Sequence, residues 1–180
     1  FQSRTLWGIY IGQYCITSMS YFFMTWFPIY LIKGRGMTVM QAGWVVALPA
    51  ICGFTGGVLG GVMSDYMIRR GVSPSKARKT PFVLGMFFAA MLAMANFVST
   101  DAAVIALMTL AFFGKGLSAI GWAVMSDTAP EKMIGLSGGV FNCLGNVAGI
   151  ITPVVIGYIV AATGSFNLAL WFVGAHGLLG

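Results

Sequence analysis

What most restricts this chain is the recurrence of long apolar blocks. Over 180 residues, stretches of roughly 18 to 28 mostly apolar residues follow one another with short polar connections. Each block can cross about 30 Å of hydrocarbon at about 1.5 Å per residue of helix. Lipid offers no water to unpaired backbone groups, so blocks of this kind are expected to be helices. A membrane β-barrel would instead show alternating segments of about ten residues, and none appears. Composition agrees, with 58% hydrophobic and only 8% charged residues, where a soluble domain carries about 25% charged. The fold class read from this is an all-α polytopic membrane bundle.

Spans are expected at about residues 6–32, 38–63, 81–98, 102–125 and 135–162, with a sixth from about 166 that is cut off at Gly180. The chain starts almost inside a helix and stops inside another, as expected of a fragment. Residues 64–80 read as one basic loop containing Arg69, Arg70, Lys76, Arg78 and Lys79. Alternation puts Arg4 and Lys132 on the same side, against Lys33 and Arg35 on the other. Such a bias marks the cytoplasmic side, so the amino terminus and the 64–80 loop are expected to be cytoplasmic, in a cell (inner) membrane. The net charge of +6 is thereby accounted for without nucleic acid as a partner. The partner that composition demands is the lipid bilayer. Cys15, Cys52 and Cys143 stand singly within apolar spans and read as small packing residues.

Glycine and proline interrupt the spans. Gly53, Gly57 and Gly61 recur every four residues, with Gly56 and Gly60 beside them, and span five carries Gly145 and Gly149. Small-residue stripes let helix backbones approach closely. Pro28, Pro49 and Pro153 lie inside helices and each frees a carbonyl one turn earlier. Ordinary tight packing accounts for such positions, although transport proteins also use them as bends.

Lys115 is the sharpest chemical signal, standing near the middle of the fourth span. A lysine there costs roughly 2.5–3.5 kcal/mol on insertion scales. Its side chain reaches only about 6 Å, too little to snorkel from that depth. It is expected to face a watered cavity as a fixed positive charge that attracts an anion. Ser118 and Trp122 follow at spacings of three and seven, on the same face of a regular helix. Gln13, Thr17 and Ser20 make a second polar stripe, and Asn142 and Asn146 a third. Each stripe alone is as readily interhelical glue. Together, with one cation and one indole, they suit a polyhydroxylated anion, whose hydroxyls exchange hydrogen bonds with amides and whose C–H face packs on an aromatic ring.

All four acidic residues (Asp65, Asp101, Asp127, Glu131) fall at span ends or in loops, so none is placed to carry a proton at depth. His176 reads as a packing or interfacial residue. No metal-ligand cluster, catalytic triad or phosphate loop is present, so the chain does not read as an enzyme and no cofactor is implied. Asp65, followed by Arg69 and Arg70, closes the second span. An Asp65–Arg69 pair would be a simple charged stop. The functional reading is a gate latch, in which Asp65 meets a helix amino terminus or an arginine.

Several longer segments carry a resemblance. They are Gly12-Gln13-Tyr14, Phe22-Phe23-Met24-Thr25-Trp26-Phe27-Pro28, Ala77-Arg78-Lys79-Thr80-Pro81 and Ala111-Phe112-Phe113-Gly114-Lys115-Gly116. Gly121-Trp122-Ala123-Val124-Met125-Ser126-Asp127-Thr128-Ala129-Pro130 and Gly138-Gly139-Val140-Phe141-Asn142 complete the set. Over essentially its whole length the chain resembles the carboxy-terminal half of the major facilitator superfamily. More narrowly, it resembles the glucarate/galactarate (hexarate) symporters of the anion:cation symporter branch. The resemblance implies a twelve-helix fold in two halves, alternating access, and uptake of a sugar acid with protons. It implies that Gln13, Trp122 and Asn142 contact the sugar acid. The proton-coupling acids and a carboxylate-holding arginine would lie in the missing amino-terminal six-helix half. Since a hexarate has two carboxylates, Lys115 is then expected to hold the second. The competing readings are transport of another organic anion, such as an aldonate or aromatic acid, and a non-transporting sugar-acid receptor.

Overall fold

The structure, a computed structural model, describes residues 4–180. Its helices are α1 (Arg4–Gly34), α2 (Val39–Arg69), α3 (Pro74–Phe97), α4 (Asp101–Thr128), α5 (Glu131–Thr163) and α6 (Asn167–Leu179). The first five are long and apolar enough to cross a membrane. No strand occurs among the described residues.

These helices run through the stretches expected as spans and extend past most of their ends. The basic stretch 64–80 is not a loop: α2 continues through Arg69 and α3 begins at Pro74, leaving residues 70–73 as the connection. The Val72 N–H reaches back to the Met67 carbonyl at 3.0 Å, and Gly71 takes φ +85°. This is the left-handed glycine stop that satisfies the last carbonyls of a helix. Hydropathy marks only the part of a helix that lies in hydrocarbon, whereas hydrogen bonding carries the helix on into charged sequence. At the opposite end, Thr38 and Gln41 exchange side-chain and backbone hydrogen bonds to start α2. Arg35 meets Asp101 at 3.0 Å, joining the end of α1 to the start of α4.

α1 packs along α5 and against α6, while α4 lies between α2 and α3, and α3 packs on α6. The main core, including Phe22, Phe27, Met108, Ile156 and Val173, sits toward the Arg35 end. A smaller one, Leu6, Tyr10, Met125, Ala129 and Phe141, sits toward the Asp65 end. α2 and α5 bury the least of themselves, and large apolar side chains such as Trp44, Phe54, Ile150 and Tyr158 are exposed.

Two of the bundle's seams differ in kind. Along α2–α4, backbone meets backbone: a Cβ on Gly60 would lie 2.7 Å from the Leu117 carbonyl oxygen. One on Gly56 would strike the Phe113 carbonyl. The tightest contacts therefore fall at Gly53, Gly56 and Gly60, with Gly57 also against Gly116, while Gly61 has nothing within 4 Å. Steps of three and then four residues stay on one face of a 3.6-residue helix, whereas repeated steps of four drift off it.

Along α1–α5, side chains enter notches. Gly145 lies against Gln13 and Thr17, Gly149 against the Tyr21 ring, and Gly157 against the Trp26 ring. The Trp26 indole N–H donates to the Pro153 carbonyl at 3.1 Å. α1 itself is irregular, with π-turns at Phe22–Trp26 and Tyr30–Gly34 on either side of the Pro28 segment. A proline that cannot donate to the preceding turn is accommodated here by locally widened helix.

Candidate functional site

Gln13 stands at the meeting of three helices. Its Nε2 donates to Thr17 Oγ1 at 3.2 Å, one turn further along α1. A Cβ on Gly145 of α5 would lie 3.2 Å from that nitrogen, and one on Gly121 of α4 would lie 3.9 Å from Gln13 Oε1. The absence of side chains at these two positions lets the amide occupy the space between the helices. Trp122 follows Gly121 and is 48% exposed, so the indole presents half its surface. Its ring meets Phe141 edge-on at 4.7 Å, and Phe141 is fully buried. Asn142, the next residue on α5, is exposed, as is Asn146. Gln13, Thr17 and Trp122 thus stand at one junction of α1, α4 and α5, and Asn142 and Asn146 lie on the stretch of α5 that borders it.

Two other polar candidates do not join it. Ser118 is fully buried and donates to the Phe82 carbonyl of α3 at 2.9 Å. The hydroxyl expected to serve a ligand beside Lys115 is thus spent on the main chain of a neighbouring helix, just where the α-helix gives way to a 3-10 turn at Ser118–Ile120. That turn winds tighter than an α-helix and alters the register of the residues that follow it. Ser20 returns its hydroxyl to the Ile16 carbonyl at 3.0 Å. It lines a separate cavity of about 330 Å³ with Met24, Pro49 and Phe112.

Lys115 is half-buried, with its ammonium 5.0 Å from the centre of the Phe112 ring. That cation–π contact is the interaction the structure gives it. No carboxylate pairs with it among the described residues: Asp101 is taken by Arg35, and Asp65 and Asp127 are taken by Arg78. Phe112, beneath the ammonium, meets Phe23 of α1 with ring centroids 4.4 Å apart and also borders the Ser20 cavity. Lys115 therefore stands on the α1-facing side of α4. Seven residues separate it from Trp122, about 10 Å along the helix.

At the Asp65 end, the expected local pair does not form. Asp65 meets Arg78 of α3 at 3.3 Å instead of Arg69, and the same guanidinium meets Asp127 of α4 at 3.1 Å. Arg78 also approaches the buried Ser64 hydroxyl at 3.5 Å. One arginine thus ties the ends of α2, α3 and α4. Arg70 lies over the Tyr66 ring at 5.0 Å, and Arg69 is exposed. Sequence reasoning missed Arg78 and Asp127 as members of this tie. Their one signal was that both stand in the segments carrying the family resemblance. His176 is buried, with its Nδ1 2.8 Å from the Phe172 carbonyl and its ring near Tyr14 and Phe172, so it packs α6 as expected.

With six helices arranged this way and a polar junction among three of them, comparison with known proteins gives the class. Residues 9–180 match the family described as Major Facilitator Superfamily. The chain belongs to that superfamily, and it is a membrane protein. It is 56% identical over 177 residues to the "Probable galactarate/D-glucarate transporter GudP" of Escherichia coli (strain K12), a match covering 98% of this chain and 39% of that protein. It is 54% identical over 176 residues to the protein of the same name from Bacillus subtilis (strain 168), covering 98% and 39%. With the "D-galactonate transporter" of Escherichia coli O6:H1 the identity is 40% over 177 residues, covering 98% and 41%. The chain therefore spans about two-fifths of the length of these relatives.

Proposed function

We propose that this chain acts as the carboxy-terminal six-helix half of a twelve-helix secondary transporter for a sugar-acid anion, most specifically a hexarate such as glucarate or galactarate. Transport runs by alternating access with proton symport. The observation that supports this reading is the seating of the Gln13 amide against Gly121 and Gly145, beside the half-exposed Trp122, at one junction of α1, α4 and α5. The names of the relatives at 54% to 56% identity supply the substrate class. Amide, indole and ammonium together suit an acidic polyol, with hydrogen bonds to hydroxyls, ring contact with C–H groups and a fixed charge for a carboxylate.

In this reading Lys115 holds one carboxylate of the hexarate and an arginine of the other half holds the second. The coupling carboxylates also belong to that half, because the acids of this chain lie at helix ends in ion pairs or loops. The protein works in the cell (inner) membrane, with the amino terminus of the chain and the basic 64–80 region on the cytoplasmic side. Asp65 and Arg78, with Asp127, act there as a latch that closes helix ends in one transport state and parts in another. Arg69 and Arg70 stand beside the latch and supply its basic surround.

The test is uptake by the twelve-helix protein carrying this chain, with galactarate and galactonate as substrates, before and after Lys115→Gln. Loss of a charge-assisted contact is expected to lower galactarate uptake at least about tenfold and to spare galactonate, which has one carboxylate. Equal retention of both activities rejects the role given to Lys115. Transport of galactonate and not galactarate by the unaltered protein would favour the aldonate reading, to which the similarity with the D-galactonate transporter also points.

A further inference from the structure

The end of the bundle opposite Asp65 is poor in positive charge. Among the described residues, only Lys33 and Arg35 carry a basic side chain there. Both line one cavity of about 420 Å³, where the ends of α1 and α3 meet the α5–α6 connection. Tyr30, Asn96, Ser165 and Asn167 are the other polar residues of its wall, and no acidic residue lines it. Asp101, at the same end, lies 3.0 Å from Arg35, so Lys33 is left without a carboxylate among the described residues. Twenty residues separate Lys33 from Gln13, about 30 Å along α1. The cavity is therefore no part of the polar junction.

The remaining polar groups restrict what the cavity can take. Asn96 donates its Nδ2 to the Asn167 main-chain carbonyl at 3.2 Å. A carbonyl only accepts, so the amide nitrogen is held on that side. Asn96 Oδ1 is left closed off from water and without a donor among the described residues. Ser165 Oγ accepts the Asn167 N–H at 3.2 Å, and its own hydrogen remains to be given. Negative oxygens are thus offered an unpaired ammonium, a hydroxyl, and a guanidinium partly engaged by Asp101 and the Ser99 carbonyl. A ligand hydroxyl is offered one buried acceptor. A simple anion would leave Asn96 Oδ1 unpaired, and a neutral polyol would leave Lys33 without a counter-charge.

We infer that this cavity is a second binding site, for an anion that carries hydroxyl groups. The negative group meets Lys33 and the Ser165 hydroxyl, and a neighbouring hydroxyl donates to Asn96 Oδ1 as the wall yields to it. Two sources share this chemistry: a free sugar acid, and the glycerol phosphate headgroup of a membrane lipid. A sugar acid would be held here before it enters the path between the helices. A headgroup would tie the ends of α1, α3 and α6 to the bilayer surface. The site goes beyond the transport reading and does not depend on the junction around Gln13.

The experiment uses the purified twelve-helix protein in nanodiscs, with two probes. In discs of phosphatidylcholine alone, galactarate is titrated by calorimetry. In discs that also hold phosphatidylglycerol, the lipid that stays with the released protein is counted by native mass spectrometry. Lys33 is exposed, so its replacement leaves the fold intact. Lys33→Gln is expected to weaken binding of at least one probe about tenfold, the scale of one charge-assisted hydrogen bond. Ser165→Ala alters no charge and should weaken the same probe about threefold. A galactarate response that survives Gln13→Leu identifies the sugar acid, and a phosphatidylglycerol response identifies the headgroup. If neither probe responds to Lys33→Gln, the inference is overturned. It is also overturned by a loss with Lys33→Gln and none with Ser165→Ala, which marks a positive surface without a built site. Galactarate bound nowhere, while phosphatidylglycerol responds, rejects the substrate of the transport reading and leaves this site standing.

Discussion

Two seams of this bundle use glycine for opposite ends. Between α2 and α4, the glycines at 56, 60 and 116 bring main chain onto main chain, with no side chain able to yield. Between α1 and α5, the glycines at 145, 149 and 157 are receptacles for side chains of the partner helix, Gln13, Thr17, Tyr21 and Trp26. The first seam leaves no side chain between the two backbones to rearrange. The second consists of side chains with rotamers of their own, so its contents can rearrange without the helices parting. It is the second seam that carries the polar junction. Close helix contact in a membrane is thus divided between a fixed frame and an adjustable interior.

That division can be broken most severely at Gly56. Gly56→Ala drives a methyl group into the Phe113 carbonyl. It is expected to cost about 3 kcal/mol, the upper end for overpacking, and to lower sharply the yield of monodisperse protein and its midpoint of thermal unfolding. Retention of wild-type stability would show that the α2–α4 seam is looser than its geometry. Gly145→Ala should act more mildly on the fold and more visibly on the ligand. Its methyl group meets Gln13 Nε2 and Thr17 Oγ1 at 3.2 Å, atoms that can move by a few tenths of an ångström. An unfolding cost within about 1 kcal/mol is expected, with a loss of sugar-acid affinity of about fivefold as the Gln13 amide is displaced. If the fold suffers as much as in Gly56→Ala, the contrast between the seams is wrong. Gly61→Ala closes the series. With nothing within 4 Å of the added methyl, it should raise the unfolding midpoint slightly, by the equivalent of about 0.5–1 kcal/mol of helix propensity.

Much of the architecture was legible, because crossing hydrocarbon leaves a long and unambiguous apolar record. The all-α membrane bundle was read as such, and within each polar stripe Gln13 pairs with Thr17 and Asn146 with Asn142. The failures have local causes. The 64–80 stretch was read as a loop because charge was taken as the end of a helix, and α2 and α3 simply continue into water. Ser118 was counted as a ligand group, and its hydroxyl is instead committed to the Phe82 carbonyl of α3, a partner with no local signature. Asp65 was paired with the nearest basic residue at helical spacing. Arg78 reached it from another helix instead, a partnership with no local signature. The glycine register was read only in part, since a four-residue repeat attracts the eye although the tightest contacts follow the steps from 53 to 56 to 60.

The π-turn in α1 has a consequence for counting. Gln13, Thr17, Tyr21 and Trp26 all meet α5, although the last step is five residues where the others are four. In an unbroken α-helix each residue turns by about 100°, and a fifth residue would point well away from the side that its predecessors share. The widened turn at Phe22–Trp26 absorbs the difference. α1 behaves as a ruler with an extra mark near its middle and another at its end, so distances along it read correctly between those marks but not across them. Helical-wheel reasoning carried from Gln13 to the far end of this helix would assign the wrong face to Trp26 and to every residue beyond it.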